Sequence, residues 1–352
     1  MKRESKKIFK LSNLGLIKLF KPLYTLSNFS KILVLIISII SFSFAPNLLA
    51  KDTKSNPKYP ILIFDNVGDP SIPGKLRSSK TKFPAKTQNP PTRLGLDELN
   101  ISGSQQFTGK NLPKLMKKLK FYKGYVVDLR QESHGFLDNR PVSWYGKKNA
   151  ANKDKTPEEI EKQEKQLVAD LQKSMGGNVP NHLIYGKTIV YTRIKVGTPP
   201  LAKIKFKPNI VAYLHANTEE EIVKHHGLQY QRFYIQDFNE PSSAEIDRFV
   251  EFVKSLPKKT WLHFHCHAGK GRTTTFMVMY DMIKNAHQVE MNDIFRRQTL
   301  IGGQNLLETK KESSGGDVVT FEKRLKMLTS FYDYAKDPEG YAKRSWSDWL
   351  KN

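Results

Sequence analysis

The chain has 352 residues, and 58 Lys and Arg residues against 34 Asp and Glu residues give it a formal net charge of +24. With 38% hydrophobic and 26% charged residues, its composition is that of an ordinary folded protein, which excludes disorder throughout. Cys266 is the only cysteine, which excludes an intramolecular disulfide and a cysteine-based zinc or iron–sulfur site. The positive charge calls for an anionic partner: nucleic acid, anionic lipid or a small polyphosphate.

Residues 1–50 have the pattern of an export signal. Eight Lys and Arg residues and one acid precede the apolar run 32–44, which is followed by Ala-Pro-Asn-Leu-Leu-Ala ending at Ala50. The run is shorter than the roughly 20 apolar residues that span a bilayer. We therefore expect cleavage near Ala50 and a periplasmic or secreted protein, with retention as an uncleaved anchor as the alternative.

The next part of the chain alternates between irregular and regular segments. Residues 51–93 are rich in proline, lysine and serine, and they predict an extended lead-in with one short strand at 61–64. A helix at 112–119 and a buried strand at 122–129 follow. Thr156 and Pro157 have the pattern of an N-cap and a first helical residue, so they predict a helix to residue 173.

The second half of the chain alternates strands and helices. Short alternating runs separated by glycine and proline predict antiparallel strands between 181 and 214. The elements predicted after them are a helix at 218–226, a strand at 229–235, a helix at 243–256, a strand at 260–264 and a helix at 273–284.

The loop between the last predicted strand and helix has the properties of an anion site. Five residues separate Cys266 from Arg272, so the loop can curl with its backbone N–H groups inward while the helix N-terminus and the guanidinium face the same anion. Gly269 and Gly271 permit so tight a turn. The same positive field stabilises a thiolate, so we expect Cys266 to be a nucleophile at neutral pH.

Three further residues lie in or beside this loop. Thr273 is expected to hydrogen-bond the sulfur and stabilise it as a leaving group. His265 either packs in the core or orients the loop, and Lys270 is either a solvated lysine or a contact to the anion. A lone cysteine between a strand and a helix is usually a small buried hydrophobe, but the arginine and the glycines favour phosphate chemistry here.

The motif His-Cys-x5-Arg-Thr at 265–273 resembles the signature of the cysteine-dependent phosphatases, which include the protein tyrosine phosphatases. The runs Asp-Leu-Arg-Gln-Glu-Ser-His-Gly at 128–135, Trp-Tyr-Gly at 144–146 and Ile-Gly-Gly at 301–303 narrow the resemblance. Together they resemble the bacterial cysteine phytases, which remove phosphates from inositol polyphosphates. The resemblance extends from about residue 72 to the C-terminus and is weakest over 174–225.

The resemblance implies an α/β fold with a protein-tyrosine-phosphatase-like core, in which helices flank a central, mostly parallel sheet. We expect residues 94–134 and 216–352 to form this core. Residues 135–215 have no counterpart in small members of the superfamily, and we expect them to form a small inserted partial β-barrel. Such a domain would form one wall of the pocket and supply basic groups.

The mechanism of these phosphatases needs an acid on a loop that follows the strand before the nucleophile's own strand. Asp237 fits, since it lies 29 residues before Cys266 and follows the predicted strand 229–235. Glu240 is the only close competitor. Gln298 is the candidate for orienting the water that hydrolyses the intermediate.

The resemblance also implies contacts to the substrate. The expected contacts within the loop are His267, Ala268, Gly269, Lys270 and Gly271. The candidates for the pocket rim are Arg77, Arg130, Glu132, Lys323 and Arg324.

The chain departs from the phytase pattern at four positions, and two of them are His267 and Lys270, where phytases often have an acid and a small apolar residue. Phe238 follows the acid where phytases usually have histidine, and Asn149 stands where an acidic residue is common. Lys270 resembles the phosphoinositide phosphatases, whose loop reads Ala-Gly-Lys-Gly-Arg. The order in which phosphates are removed therefore cannot be carried over from the phytases.

We expect an exported inositol polyphosphate phosphatase that forms a cysteinyl-phosphate and uses no metal or cofactor. A phosphoinositide or phosphotyrosine phosphatase is the first alternative, and a basic protein that binds anions or a membrane surface is the alternative from another class. The expected partner is a small anionic substrate, with an anionic membrane surface as a further option and no obligate protein partner. Nucleic acid is disfavoured, because basic and aromatic residues do not interleave.

Overall fold

The computed structural model describes residues 60–65, 71–174, 185–197, 203–308 and 318–351. All of them belong to one compact unit, Pro57–Asn352. The predicted export signal lies outside the described residues, as does most of the run 182–185. Within the described ranges, no helix is long and apolar enough to cross a bilayer.

A five-stranded sheet forms the centre of the phosphatase-like core. Its strands are β2 (Arg77–Ser78), β3 (Ile101–Gln105), β4 (Tyr125–Asp128), β10 (Gln229–Arg232) and β11 (Leu262–Cys266), in the order β10-β4-β11-β3-β2. The pairs β10/β4, β4/β11 and β11/β3 are parallel, and only β2 runs antiparallel to its neighbour. The predicted mostly parallel central sheet is confirmed.

Helices cover both faces of this sheet. They are α1 (Leu112–Leu119), α3 (Glu219–His225), α4 (Ser243–Ser255), α5 (Gly271–Asn285), α6 (Met291–Leu300), α7 (Val318–Lys336) and the short α8 (Trp346–Trp349). Phe264 of β11 packs with Phe249 of α4 and Phe276 of α5 in the larger hydrophobic core. On the opposite face, His263 and His265 contact the rings of Phe121 and Phe107.

The alternation of side chains along β11 explains where the cysteine lies. Successive residues of a strand point to opposite faces, so Leu262, Phe264 and Cys266 share the face that α4 and α5 cover. The strand is central in its sheet and parallel to both neighbours, so its five residues are all buried. Cys266 therefore ends a rigid element just before helix α5 begins.

A second, six-stranded sheet comes mainly from the inserted region. Its strands are β1 (Ile61–Phe64), β5 (His134–Leu137), β6 (Arg140–Tyr145), β7 (Gly186–Val196), β8 (Lys203–Tyr213) and β9 (Ala216–Asn217), in the order β8-β7-β1-β6-β5-β9. Val168 of helix α2 (Pro157–Lys173) packs on Val190 and Val211 of this sheet. Among the described residues β8 and β9 are its edges, and closure into a partial barrel is not confirmed.

The strand β1 connects the predicted lead-in to the second sheet. It pairs antiparallel with β6 over its full length and touches β7 through Ile63 and Tyr191. Ile61 and Ile63 are buried and pack on Tyr145. The predicted strand at 61–64 is therefore present, and it fills the position between β7 and β6.

Local signals in the sequence agree with several element boundaries. Thr156 and Glu159 form a reciprocal capping box at the start of α2, and Ser242 accepts a hydrogen bond from the backbone N–H of Glu245 at the start of α4. Helix α1 has the predicted limits. Strand β10 ends at Arg232, three residues earlier than predicted, and the backbone N–H of Ile235 then bonds the carbonyl of Phe233 in a tight turn.

Candidate active site

The nucleophile candidate sits at the C-terminal end of β11, where the loop to α5 begins. Cys266 is 3% exposed, and the hydroxyl of Thr273 donates a hydrogen bond to its sulfur over 3.2 Å. The predicted contact between these two residues is confirmed. Helix α5 starts at Gly271, so its positive N-terminal end faces the same loop.

The loop is held against strand β3 at a position that only glycine can occupy. Gly269 has a φ of +69°, and a Cβ there would lie 2.3 Å from the backbone nitrogen of Gln105. Arg77 donates a hydrogen bond from Nη1 to the Gly269 carbonyl over 2.9 Å and one from Nη2 to Thr274 over 3.0 Å. The close packing of Gly269 on β3 and the hydrogen bonds from Arg77 therefore hold the loop in place.

Arg77 was predicted on the pocket rim, and this placement is wrong. The side chain is 3% exposed and lies beneath the loop, where its two terminal nitrogens bond to protein oxygens. Burial lowers the pKa of Arg77 to about 10, so it stays cationic at neutral pH. It therefore adds positive charge below the anion site without lining the pocket.

Arg272 is buried and held by a carboxylate behind the loop. Its Nη1 and Nη2 donate to the two carboxylate oxygens of Glu132 over 2.7 and 3.0 Å, and Nη1 also donates to the carbonyl of Ile235. Burial opposes its charge, but Asp237 and Glu132 raise the pKa of Arg272 above its ordinary value. Its Nε has no hydrogen-bond partner among the described residues, which leaves one donor for a phosphate oxygen.

Arg130 and Glu132 were also predicted on the rim, and the structure corrects both. Arg130 is fully buried and donates from Nε to Glu132 over 3.0 Å and from Nη1 to Asp65 over 2.8 Å. Burial acts to raise the pKa of Glu132, but Arg272 and Arg130 outweigh it and lower this pKa to about 2. The buried guanidinium groups of Arg130 and Arg272 need a negative charge between them, and the buried carboxylate of Glu132 provides it.

The acid candidate Asp237 meets the nucleophile's loop. Its Oδ1 lies 3.1 Å from Nη2 of Arg272, and its Oδ2 accepts a hydrogen bond from Asn149 over 2.9 Å. Its side chain is 21% exposed and lines the open pocket. The competitor Glu240 does not line the pocket.

The acid loop is also fastened from the C-terminal side. Arg324 on α7 donates from Nη2 to the backbone carbonyls of Phe238 and Asn239. Phe238 has a φ of +70°, which is rare for an aromatic residue and marks a sharp turn directly after Asp237. The turn and the arginine together set the direction of the Asp237 side chain.

These elements enclose a cavity of about 390 Å³. Its lining combines the phosphate-loop candidates with residues from the second sheet and from α7. The lining residues are Tyr145, Asn149, Arg193, Ile204, Asp237, Phe238, Cys266, His267, Ala268, Lys270, Gly271, Arg272, Gln304, Phe321 and Arg324. Four Lys and Arg side chains and one carboxylate make this an anion pocket.

Two further predicted residues do not reach the pocket. Lys323 is exposed on α7 and lies outside the lining, whereas its neighbour Arg324 faces the pocket. Gln298 is 1% exposed and donates a hydrogen bond to Asp281 over 2.9 Å, so it does not face the nucleophile. Gln304 lines the pocket instead, and it lies close to Gly271 of the loop.

The second sheet contributes pocket residues that the sequence analysis did not single out. Arg193 of β7 and Ile204 of β8 line the cavity, and the Arg193 guanidinium lies 5.0 Å from the ring centroid of Tyr145. A basic contribution from the inserted region was expected, but no motif marks these individual positions. Only the alternation of side chains along β7 distinguishes Arg193, which is partly buried, from the exposed Ile194 beside it.

His265 belongs to a buried charged network behind the nucleophile. Its Nε2 lies 2.6 Å from Glu219, and Nε2 of His134 lies 3.3 Å from both Asp128 and Glu219. Burial and Arg130 oppose protonation, but Asp128 and Glu164 contribute to a raised pKa of about 10 for His134. Because His265 contacts Glu219 and Phe107, its side chain faces away from the pocket and packs on the opposite face of the sheet.

Asp128, Glu219 and His265 are close enough together to hold a metal ion. Their environment favours protons over a metal. The carboxylate of Asp128 accepts a hydrogen bond from Tyr230 over 2.8 Å, and Arg232 lies 3.1 Å from the same oxygen. A further cation would be repelled by this buried guanidinium.

The fold and the loop define the class of protein-tyrosine-phosphatase-like proteins. A Bdellovibrio bacteriovorus protein-tyrosine-phosphatase-like phytase superposes with a TM-score of 0.62 at 31% identity, covering 85% of this chain and 98% of that chain. The sequence profile described as PTP-like phytase, inositol hexakisphosphate, matches residues 127–284. The chain belongs to the family of protein-tyrosine-phosphatase-like phytases.

Two further relatives are longer than this chain. The Mitsuokella multacida PTP-like myo-inositol phosphatase, solved in complex with myo-inositol-(1,3,4,5)-tetrakisphosphate, has a TM-score of 0.73 and 35% identity, covering 84% of this chain and 48% of that chain. The effector protein hopD2 of Pseudomonas syringae pv. tomato is 26% identical over 260 residues, which are 72% of this chain and 52% of that protein. This chain thus spans about half the length of each.

Proposed function

We propose that the chain hydrolyses phosphomonoesters of myo-inositol polyphosphates through a covalent phosphate on Cys266. The observation that carries this proposal is the meeting of Cys266, Arg272 and Asp237 at one cavity. A thiol nucleophile, a phosphate-binding guanidinium and a proton donor are the three groups that the reaction needs.

The first step transfers the phosphoryl group to the enzyme. The phosphate binds over the loop, with the Arg272 Nε donor and the N-terminal end of α5 facing its oxygens. The Cys266 thiolate attacks phosphorus as the bond to the inositol oxygen breaks. Asp237 gives its proton to that leaving oxygen, so a neutral alcohol departs and the S–P bond remains.

The second step returns the enzyme to its starting state. Asp237, now a carboxylate, takes a proton from a water molecule that attacks phosphorus. The S–P bond breaks, inorganic phosphate leaves, and the hydrogen bond from Thr273 stabilises the departing thiolate. Gln304 lines the pocket near the loop and is our candidate for orienting this water. Positive charge in both steps comes from side chains and the N-terminal end of α5, and the proposed steps use no metal or cofactor.

The substrate class follows from the charge of the pocket. Arg193, Lys270, Arg272 and Arg324 line a cavity with one carboxylate, and one arginine suffices for a single transferred phosphate. The other three cations suit additional phosphates on the same molecule. The tetrakisphosphate bound by the Mitsuokella relative supports this choice.

Initial rates of phosphate release test the proposal. We expect kcat/KM to be higher for inositol hexakisphosphate than for an aryl phosphate or a phosphotyrosine peptide. Cys266→Ser should leave less than about 1% of the activity, because a hydroxyl is a far poorer nucleophile at neutral pH. Rapid acid quenching of the parent enzyme with labelled substrate should trap phosphate on Cys266, and full activity of the serine variant would disprove the covalent route.

A phosphoinositide phosphatase is the second candidate, because Lys270 lines the pocket within the sequence Ala-Gly-Lys-Gly-Arg. A short-chain, water-soluble phosphatidylinositol phosphate is the substrate that distinguishes the two. A kcat/KM for this lipid above that for the hexakisphosphate would favour the second candidate. Comparable loss of both activities in Cys266→Ser would assign them to one site.

We also propose that the protein is exported and cleaved near Ala50. The support is the basic and then apolar order of residues 1–50 alone. Mass spectrometry of the protein from the extracellular or periplasmic fraction should find a mature N-terminus close to Lys51. An intact N-terminus in the membrane fraction would favour the anchor.

A further inference from the structure

Strands β7 and β8 form a basic ribbon at the edge of the second sheet. They pair antiparallel over 11 residues each, and β8 is an edge strand among the described residues. The ribbon contains no Asp or Glu. Its cations are Lys187, Arg193, Lys195, Lys203, Lys205 and Lys207.

The same ribbon exposes large aliphatic side chains. Five of them have between 37% and 64% of their surface exposed, namely Ile189, Ile194, Val196, Ile204 and Ile210. Isolated exposed aliphatic residues are normal on a protein surface. Five on one two-stranded ribbon that also carries six cations form a pattern that needs an explanation.

Register places apolar and basic side chains together at the far end of the ribbon. Ile194 lies opposite Lys205, and Val196 lies opposite Lys203. Residues directly opposite each other in an antiparallel pair share a face. Lys207 is on this face too, because it lies two residues from Lys205. We call these five residues the distal face.

Protection of an edge strand explains only part of this pattern. Lysines on an edge discourage pairing with another chain, but exposed Ile194 and Val196 increase the tendency to associate. A second copy of this chain is a poor occupant of the distal face, because three lysines would face three lysines. Nucleic acid is also a poor occupant, because its bases stack on aromatic rings, and the distal face has none.

We propose that the distal face docks on the surface of an anionic bilayer. The surface of an anionic bilayer binds both aliphatic and basic side chains. Aliphatic groups enter the boundary between headgroups and acyl chains, and lysines reach the lipid phosphates. Ile204, which follows Lys203, lines the catalytic cavity. Because successive residues of a strand point to opposite faces, Ile204 lies on the face opposite Lys203, and docking leaves the mouth of the pocket uncovered. This inference goes beyond the proposed function, since it does not depend on which phosphate ester is hydrolysed.

A local probe is used to test the docking in the full chain, because the apolar run 32–44 is expected to bind lipid by itself. In a Cys266→Ser background, Val196→Cys carries an environment-sensitive fluorophore. Tyr122→Cys, at a position that is 59% exposed and outside the ribbon, carries the same fluorophore as a control. With vesicles of phosphatidylcholine and phosphatidylglycerol, we expect a blue shift at position 196 and none at position 122. Pure phosphatidylcholine should produce neither shift.

Two triple variants separate the distal lysines from net charge. Lys203→Ser, Lys205→Ser and Lys207→Ser together should raise the lipid concentration for the half-maximal shift about 100-fold, since each lysine contributes roughly tenfold or less near an anionic surface. The matched control removes three exposed lysines of helix α1 by the changes Lys114→Ser, Lys117→Ser and Lys118→Ser. It has the same net charge and should keep the lipid dependence of the parent. Equal unfolding midpoints establish that both variants are folded.

The proposal is overturned by any of four results. These are no shift at position 196 with anionic vesicles, equal shifts at positions 196 and 122, equal weakening in the two triple variants, and a shift at position 196 with a nucleic-acid oligomer as large as that with vesicles. The last result would assign the ribbon to nucleic acid. Equal weakening in the two triple variants would mean that binding is only the general attraction between a basic protein and an anionic surface.

Discussion

Asn149 donates a hydrogen bond from Nδ2 to Oδ2 of Asp237 over 2.9 Å. The other oxygen of this carboxylate lies 3.1 Å from Nη2 of Arg272. Asn149 has a φ of +57°, a left-handed conformation that asparagine adopts more readily than most residues. Both oxygens of the proposed acid are therefore oriented before a substrate binds, and the inserted region provides one of the two contacts.

Asn149→Asp should change the pH dependence of the reaction. Two carboxylates within hydrogen-bonding distance do not both ionise easily, so they keep a shared proton to higher pH. The proposed first step needs that proton, and the alkaline limb of kcat/KM should therefore move upward by about one pH unit. A pH–rate profile with inositol hexakisphosphate measures the shift.

Asn149→Ala is the control for this change. It removes the hydrogen bond and adds no charge, so activity should fall while the alkaline limb moves upward less than in Asn149→Asp. An unchanged profile in both variants would mean that Asn149 does not act on Asp237.

Asp237→Asn should separate substrates by their leaving groups. An inositol alkoxide needs a proton as it departs, so we expect a loss of about 10² to 10⁴ in kcat on inositol phosphates. An aryl oxide leaves far more readily, so the loss on an aryl phosphate should be much smaller. Equal losses on the two substrates would assign the acid to another residue, and Glu240→Gln is then the variant to measure.

Lys270→Ala should reduce the salt dependence of substrate capture. Exposed charges are screened within about 8 Å at physiological ionic strength, so kcat/KM for the hexakisphosphate should fall steeply with added salt. The side chain lines the pocket, and its loss should flatten that slope. Lys323→Ala removes an exposed lysine outside the pocket and should leave the slope unchanged. Identical slopes in the two variants would show that Lys270 does not attract substrate.

His134→Gln should alter stability in a pH-dependent way. Asp128 and Glu164 help to raise the pKa of His134 from 6.5 to about 10, although burial and Arg130 act against them. A raised pKa stabilises the fold fully below the ordinary value of 6.5, and this contribution is lost as pH rises toward about 10. Denaturant unfolding should therefore show a large loss in the variant at pH 6 and a smaller one at pH 9.5. A loss that does not vary with pH would mean that His134 is neutral in the folded protein.

The phosphate loop was predictable from the sequence because its determinants are local. Cys266, Arg272 and the glycines between them lie within seven residues, and the strand and helix on either side are both regular apolar elements. The helix start at Thr156 was predictable for the same reason, since a capping box needs only four consecutive residues. Asp237 could be placed because its distance along the chain follows from the order of elements.

Tertiary packing alone decided which other residues reach the pocket. Arg130 and Arg324 are both arginines in family motifs, but Arg130 is buried against Glu132 while Arg324 lines the cavity. Arg193 lies on a strand far from the loop in sequence, and it reaches the pocket because the second sheet packs beside the first. Gln298 and Gln304 are only six residues apart. Gln298 lies within α6 and is buried against Asp281, whereas Gln304 follows the end of that helix and lies beside the loop. Such differences depend on the packing of elements that are distant in sequence, and no local pattern encodes that packing.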